Sequence, residues 1–214
     1  MLDRLTQLAK PGLLLDVGCG GGHLLKEAKK AAQWDVIGIE PNESTAEQAQ
    51  RYANCRVDAC FLEDAGFDKN SFDVICMLGV LEHLHDPIGT LRNVRRLLKP
   101  DGTLAIYVPN FNYLRLKDAG FLSYLRTGKW SNLSPQEHLF QFTPTTLTNL
   151  LDSAGFSTLR VDIGRPFSHG NLLRRMVKQT AFATVKLLRL TTAIHIGGLE
   201  LIAKPAITQN GAAQ

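Results

Sequence analysis

Leu13-Leu-Leu-Asp-Val-Gly-Cys-Gly-Gly-Gly-His23 carries an apolar run, a loop of small residues and the start of a helix in quick succession. Leu13–Val17 has the character of a buried strand and ends around Asp16. Gly18, Gly20, Gly21 and Gly22 follow, and His23–Ala32 reads as a helix. Strand, glycine loop and helix in this order form the nucleotide-binding half of a parallel α/β fold. A dinucleotide site wants G-x-G-x-x-G, which seats a pyrophosphate on the helix N-terminus. Here the third glycine comes too early, because Gly18-x-Gly20-x-Gly22 runs straight into His23. Asp16 stands two residues before the first glycine, where a carboxylate repels a pyrophosphate and suits a cation.

Val36-Ile-Gly-Ile-Glu40 is a second strand ending in an acid, at the interval expected of a ribose-binding carboxylate. The implied ligand has a ribose, a cationic or zwitterionic tail and no phosphate. S-adenosylmethionine meets all three conditions. In this reading Asp16 draws the cofactor's ammonium, directly or through water. Gly18 and Gly20, with Cys19 between them, let the backbone approach the amino-acid tail. Glu40 takes the two ribose hydroxyls.

Five segments now stand in chain order: Asp16-Val-Gly-Cys-Gly-Gly-Gly22, Glu40, Phe72-Asp-Val-Ile75, Val80-Leu-Glu-His83 and Leu98-Lys-Pro-Asp-Gly102. Together they resemble the class I S-adenosylmethionine-dependent methyltransferases, over roughly Leu13 to Phe156. Val80-Leu-Glu-His-Leu-His-Asp-Pro87 is similar to the branch of quinone-biosynthesis and bacterial small-molecule enzymes. The resemblance implies a Rossmann-like, seven-stranded, mostly parallel sheet with helices on both faces and an antiparallel last strand.

The 214 residues and ordinary composition fit one globular domain, expected over residues 1–204. There is no apolar run of membrane-span length and no signal-peptide pattern at the N-terminus, so a cytoplasmic protein is expected. Cys19, Cys55, Cys60 and Cys76 have no C-x-x-C spacing and read as free thiols. The net charge of +4 has a local source. Between Ile163 and Leu199 lie Arg165, Arg174, Arg175, Lys178, Lys186 and Arg189, with no Asp or Glu. A basic amphipathic helix is expected at Asn171–Leu190. Its cations would sit on one side, as an ordinary solvated face or as a contact for an anionic membrane or substrate. No nucleic-acid module is visible, and the oligomeric state is not legible.

Strands and helices alternate up to about residue 108. Strand two is Asp35–Ile39. A helix begins at Ser44, with Glu47 completing a capping box, and runs to about Ala53. Arg56–Phe61 and Phe72–Met77 are strands three and four. Pro87 opens a helix that Lys99-Pro-Asp-Gly102 ends, and Thr103–Val108 is strand five. From Asn110 to Phe142 the periodicity fades while aromatics gather: Phe111, Tyr113, Phe121, Tyr124, Trp130, Phe140 and Phe142. Such a length between a strand and a helix points to a lid. A helix from about Pro144 to Ala154 follows, capped by Gly155, then strands at Ser157–Ile163 and Gly198–Ala203. The tail from Pro205 reads as disordered.

The adenine pocket departs from the family pattern. Many relatives place an acid directly after strand three, where this chain has Phe61, followed by Leu62-Glu-Asp64. The ring is expected on Phe61 or Leu62, with backbone groups of Leu62 or Glu63 at its edge and Glu63 or Asp64 replacing the acid. Leu78 and Gly79, after strand four, should line the methionine side. Glu82-His83-x-His85-Asp86 reads as pocket framework, since no third ligand stands at a known metal spacing. No metal is expected, and His83 is a candidate site residue. His138, after the aromatic segment, is the first candidate for a general base acting on an acceptor hydroxyl.

The function expected is methylation, most readily at an oxygen of a small or lipid-linked acceptor with apolar or ring character. Two rivals remain. A non-catalytic protein of the same fold is opposed by the intact Asp16, glycine loop and Glu40. A nicotinamide-dependent dehydrogenase is opposed by Asp16 and the missing third glycine.

Overall fold

The computed structural model describes residues 1–31, 34–112, 114, 138–163 and 198–206. Most of the expected lid, all of the expected basic helix at Asn171–Leu190 and the tail beyond residue 206 lie outside the described residues. In chain order the elements are α1 (Leu2–Leu8), β1 (Gly12–Val17), α2 (His23–Lys30), β2 (Trp34–Ile39), α3 (Glu43–Ala53), β3 (Arg56–Asp58) and β4 (Phe72–Leu78). A 3₁₀ turn (Leu81–His83), α4 (Pro87–Leu97), β5 (Leu98–Val108), α5 (Pro144–Ser153), β6 (Phe156–Ile163) and β7 (Leu199–Pro205) complete them.

One seven-stranded sheet has the order β3-β2-β1-β4-β5-β7-β6. β1 pairs in parallel with both β2 and β4, and β4 with β5. β7 lies antiparallel between β5 and β6, as the resemblance implied. Period-two alternation sends successive strand residues to opposite faces. Leu15, Ile75 and Met77 therefore join a core with Leu91 and Val94 of α4 and Leu147 and Leu151 of α5. Leu14, Val74 and Cys76 join another with Leu25 of α2 and Ala46, Ala49 and Ala53 of α3. The three alanines let α3 lie close to the sheet and leave room for the loop entering α2. A Cβ at Gly22 would stand 3.0 Å from the Ala49 carbonyl oxygen.

Several boundaries differ from the sequence reading, each for a local reason. α1 was not expected; it exists because Leu5 is fully buried against the second core. Arg4 also ties it to Asp162 of β6 and Glu200 of β7. The cap of α3 is Asn42, whose side chain accepts from the Thr45 N–H at 2.9 Å, so Ser44 falls inside the first turn. β3 stops at Asp58, short of Phe61. β5 starts at Leu98, before the Lys99–Gly102 turn, which bulges out as the register jumps from Phe72↔Leu98 to Val74↔Thr103. Pro205 ends β7 and is no part of a tail.

Candidate active site

β1 and β4 are neighbours from which the sheet is extended in opposite directions, and the crevice at their carboxyl ends is where open α/β sheets take ligands. Asp16 stands there, 3% exposed. Among the described residues its carboxylate takes no hydrogen bond and no ion pair, and burial alone pushes its pKa up to about 8. A buried, unpartnered acid is costly unless a cation or a proton compensates it. The loop beyond it is shaped by close approach. Gly18 has φ +66°, and a Cβ there would come 2.7 Å from Val80 Cγ2. Gly20 has φ +48° and open space on its Cβ side.

Glu40, half-buried after β2, is held at both oxygens. Oε2 accepts from the Gly20 N–H at 3.1 Å and Oε1 from the Asn42 N–H at 3.1 Å. One carboxylate thus fixes the glycine loop against the start of α3, and each oxygen keeps a lone pair for a further donor. Cys19 contributes backbone here: its N–H donates to Ile39 O at 3.0 Å. Its thiol turns toward Gly38, with burial pushing the pKa up to about 12. Phe61 is 62% exposed, a free ring beside the site. Leu62 sends its side chain into the core, and the Glu63 carboxylate accepts from the Thr90 hydroxyl at 3.1 Å. Leu78 is half-buried and Gly79 exposed, at the end of β4.

The structure also assembles a cluster that the sequence did not join. Glu82, His83 and His138 bring one donor atom each to within 4.8 Å of one another. The His83 and His138 rings lie 5.0 Å apart. Glu82 is 2% exposed, its Oε2 has no hydrogen-bond partner among the described residues, and burial pushes its carboxyl up from the usual range. The Glu82 carbonyl accepts from the Phe140 N–H at 3.1 Å, fastening the segment after His138 to the 3₁₀ turn. Asn110 bridges to Phe142 at the end of β5. Its Nδ2 is buried and has no partner among the described residues, a polar group that the sequence reading passed over. The carboxylate of Asp86 caps α4 by accepting from the Gly89 N–H at 2.9 Å, and His85 is no member of the cluster. Val80 links the two halves of the site, touching the space at Gly18 and lying two residues before Glu82.

The sequence family described as "Methyltransferase domain" matches residues 1–161. This chain belongs to that family. Its methyltransferase-domain fold is that of the class I enzymes, whose cofactor is S-adenosylmethionine. Ubiquinone biosynthesis O-methyltransferase of Coxiella burnetii (strain RSA 331) is 31% identical over 160 residues, covering 69% of this chain and 64% of that protein. The Haemophilus ducreyi protein of the same name is 34% identical over 107 residues, 45% of each chain. The chain thus spans between about half and two thirds of the curated relatives' length. The crystal structure of an S-adenosylmethionine-dependent methyltransferase from Mesorhizobium loti matches with TM-score 0.66 at 16% identity, covering 95% of both chains. The [4+2]-cyclase SpnF matches with TM-score 0.67 at 18% identity, covering 96% of this chain and 80% of that one. Likeness at this level speaks for the fold of this methyltransferase domain; its reaction has to be argued from the site. No described helix is long and apolar enough to cross a membrane.

Proposed function

We propose that this chain transfers the methyl group of S-adenosylmethionine to an oxygen of a small or lipid-linked acceptor. The observation that carries the reading is the Asp16 carboxylate, buried beside the glycine loop with no donor among the described residues. It fits the cofactor's ammonium. Glu40, preset by two backbone N–H groups, fits the ribose diol, and the exposed Phe61 ring offers a face to the adenine. Gly18, Gly20 and the backbone of Cys19 would border the amino-acid tail, and Leu78 and Gly79 its methionine side. Oxygen is favoured by the names of the relatives, both O-methyltransferases.

The cofactor supplies a methyl carbon activated by a sulfonium. The protein's part is to hold the acceptor oxygen in line with that carbon and to keep water away. A hydroxyl must also lose its proton. His138 and His83 are the groups proposed to bring that about, as the two imidazoles that stand together on this side of the crevice. Phe140 and Phe142, stacked with centroids 6.3 Å apart, give this side an aromatic wall. The same reading places the protein in the cytoplasm, with the cations between Arg165 and Arg189 drawing it to anionic membranes when the acceptor is lipid-linked. Vesicle sedimentation at low and high salt tests that last point: salt-sensitive binding supports it, and recovery in the supernatant at both salts removes it.

An acceptor screen read by S-adenosylhomocysteine release tests the main proposal. Turnover with a hydroxylated acceptor is the expected result. Firm cofactor binding without turnover on any hydroxylated, amino or carbon acceptor would favour a non-catalytic protein of this fold.

A further inference from the structure

We propose that Glu82, His83 and His138 form a binding site for one divalent transition-metal ion, placed to hold the acceptor's oxygen. The proposal rests on the methyl-transfer reading for its role and on geometry for its existence. Two imidazoles and one carboxylate converge, with donor atoms within 4.8 Å of one another. Two nitrogens and one oxygen suit Zn²⁺, Mn²⁺, Co²⁺ or Fe²⁺ better than Mg²⁺ or Ca²⁺, which prefer all-oxygen sets. Three protein ligands leave positions open for an exogenous oxygen, the pattern of metal sites that act on substrates.

A second, independent observation points the same way. Glu82 is almost fully buried, and its Oε2 has no hydrogen-bond partner among the described residues. Leaving such a carboxylate oxygen unsatisfied costs a folded protein stability unless something binds it. Glu82 is also fixed from the chain's side: its carbonyl accepts from the Phe140 N–H, and the His83 N–H donates to Val80 O at 2.9 Å. The backbone that carries two ligands is thereby locked to the backbone near the third. Gly79 completes the placement, since a Cβ there would stand 3.9 Å from Glu82 Oε1, and Val80 packs at Gly18. The cluster therefore adjoins the cofactor loop and stands beside the stacked Phe140 and Phe142 rings.

The chemistry balances without any further reagent. A hydroxyl bound to the cation becomes more acidic and gives its proton to bulk water. The oxygen lone pair then forms the O–CH₃ bond as the CH₃–S bond breaks, and that electron pair stays on sulfur. The oxyanion and the sulfonium are neutralised together. His83 and His138 serve as ligands in this step, and the cation does what a free imidazole base would otherwise do.

The test uses the full chain, free of any histidine tag and stripped with a chelator. Titration with Co²⁺, followed by visible absorption, should show one ion per chain in a nitrogen–oxygen environment. His138→Ala should weaken cobalt binding at least tenfold and change the spectrum, while S-adenosylhomocysteine affinity stays the same. His83→Ala and Glu82→Gln should act likewise, with circular dichroism confirming that each variant is folded. No stoichiometric cobalt in the wild type, or cobalt bound identically by folded His138→Ala and His83→Ala chains, overturns the site. Cofactor titration is a separate readout, so a chain that binds S-adenosylhomocysteine but no cobalt sinks this inference and leaves the methyl-transfer proposal standing.

Discussion

Asp16 shows how one residue sets stability against binding. Its folded-state pKa, about 8, lies above the ordinary value of 3.8. Between those values the folded, cofactor-free chain holds a proton that the unfolded chain has lost, so raising the pH through this window lowers stability. Asp16→Asn keeps the shape and removes the titration. The variant should therefore gain at least about 1 kcal/mol on the wild type as pH rises from 4 to 8. It should also bind S-adenosylhomocysteine roughly ten- to a hundredfold more weakly, the scale of a charge-assisted hydrogen bond. Binding a cation beside Asp16 must expel its proton, so wild-type affinity should rise with pH up to about 8. Calorimetry in buffers of different ionisation enthalpy should show up to one proton released per ligand. Equal affinity at pH 6 and pH 8, with no proton released, would place the ammonium elsewhere.

Glu40 differs because its carboxylate already serves the fold. It joins the Gly20 and Asn42 N–H groups. Glu40→Ala should weaken cofactor binding by about 1–3 kcal/mol and leave a folded chain with a looser glycine loop. An unchanged dissociation constant would remove Glu40 from the site. Both acids stand out in the sequence, Asp16 two residues before Gly18 and Glu40 directly after the apolar run of β2. The Glu82–His83–His138 cluster was only half legible. Glu82 and His83 are neighbours, but His138 reaches them through the pairing of Asn110 with Phe142 and of Phe140 with Glu82, contacts far apart in the chain.

At the scale of elements, β1, β4 and β5 were readable because their apolar runs are buried on both faces. Their ends were less so, because side chains set them. Asn42 outcompetes Ser44 as the cap of α3 because its carboxamide oxygen reaches the Thr45 N–H and hydroxyl together. Asp73 looked like part of a family motif, and the structure gives it a structural task. Its Oδ2 accepts from the Leu13 N–H at 2.8 Å and from Lys99 Nζ at 2.7 Å, clasping β1, β4 and the start of β5. Asp73→Ala should lower stability by about 1–3 kcal/mol in denaturant melts, since it strands the Leu13 donor, with little change in cofactor affinity. A large loss of affinity with unchanged stability would move Asp73 from the frame to the site. α1 escaped the sequence reading because seven residues give too little periodicity, and its one fully buried side chain, Leu5, is recognisable only against the sheet.

For the whole molecule, the sheet order puts the Asp16 loop, Glu40 and the Glu82 cluster along one crevice, at the carboxyl ends of β1, β2 and β4. The central claim is that this crevice takes an adenosine bearing an amino-acid tail and rejects a pyrophosphate. Parallel calorimetric titrations of the purified chain with S-adenosylhomocysteine and with NAD⁺ test it directly. The account predicts saturable, one-to-one binding of S-adenosylhomocysteine and no heat of binding from NAD⁺. Tight binding of NAD⁺ with no response to S-adenosylhomocysteine would contradict it.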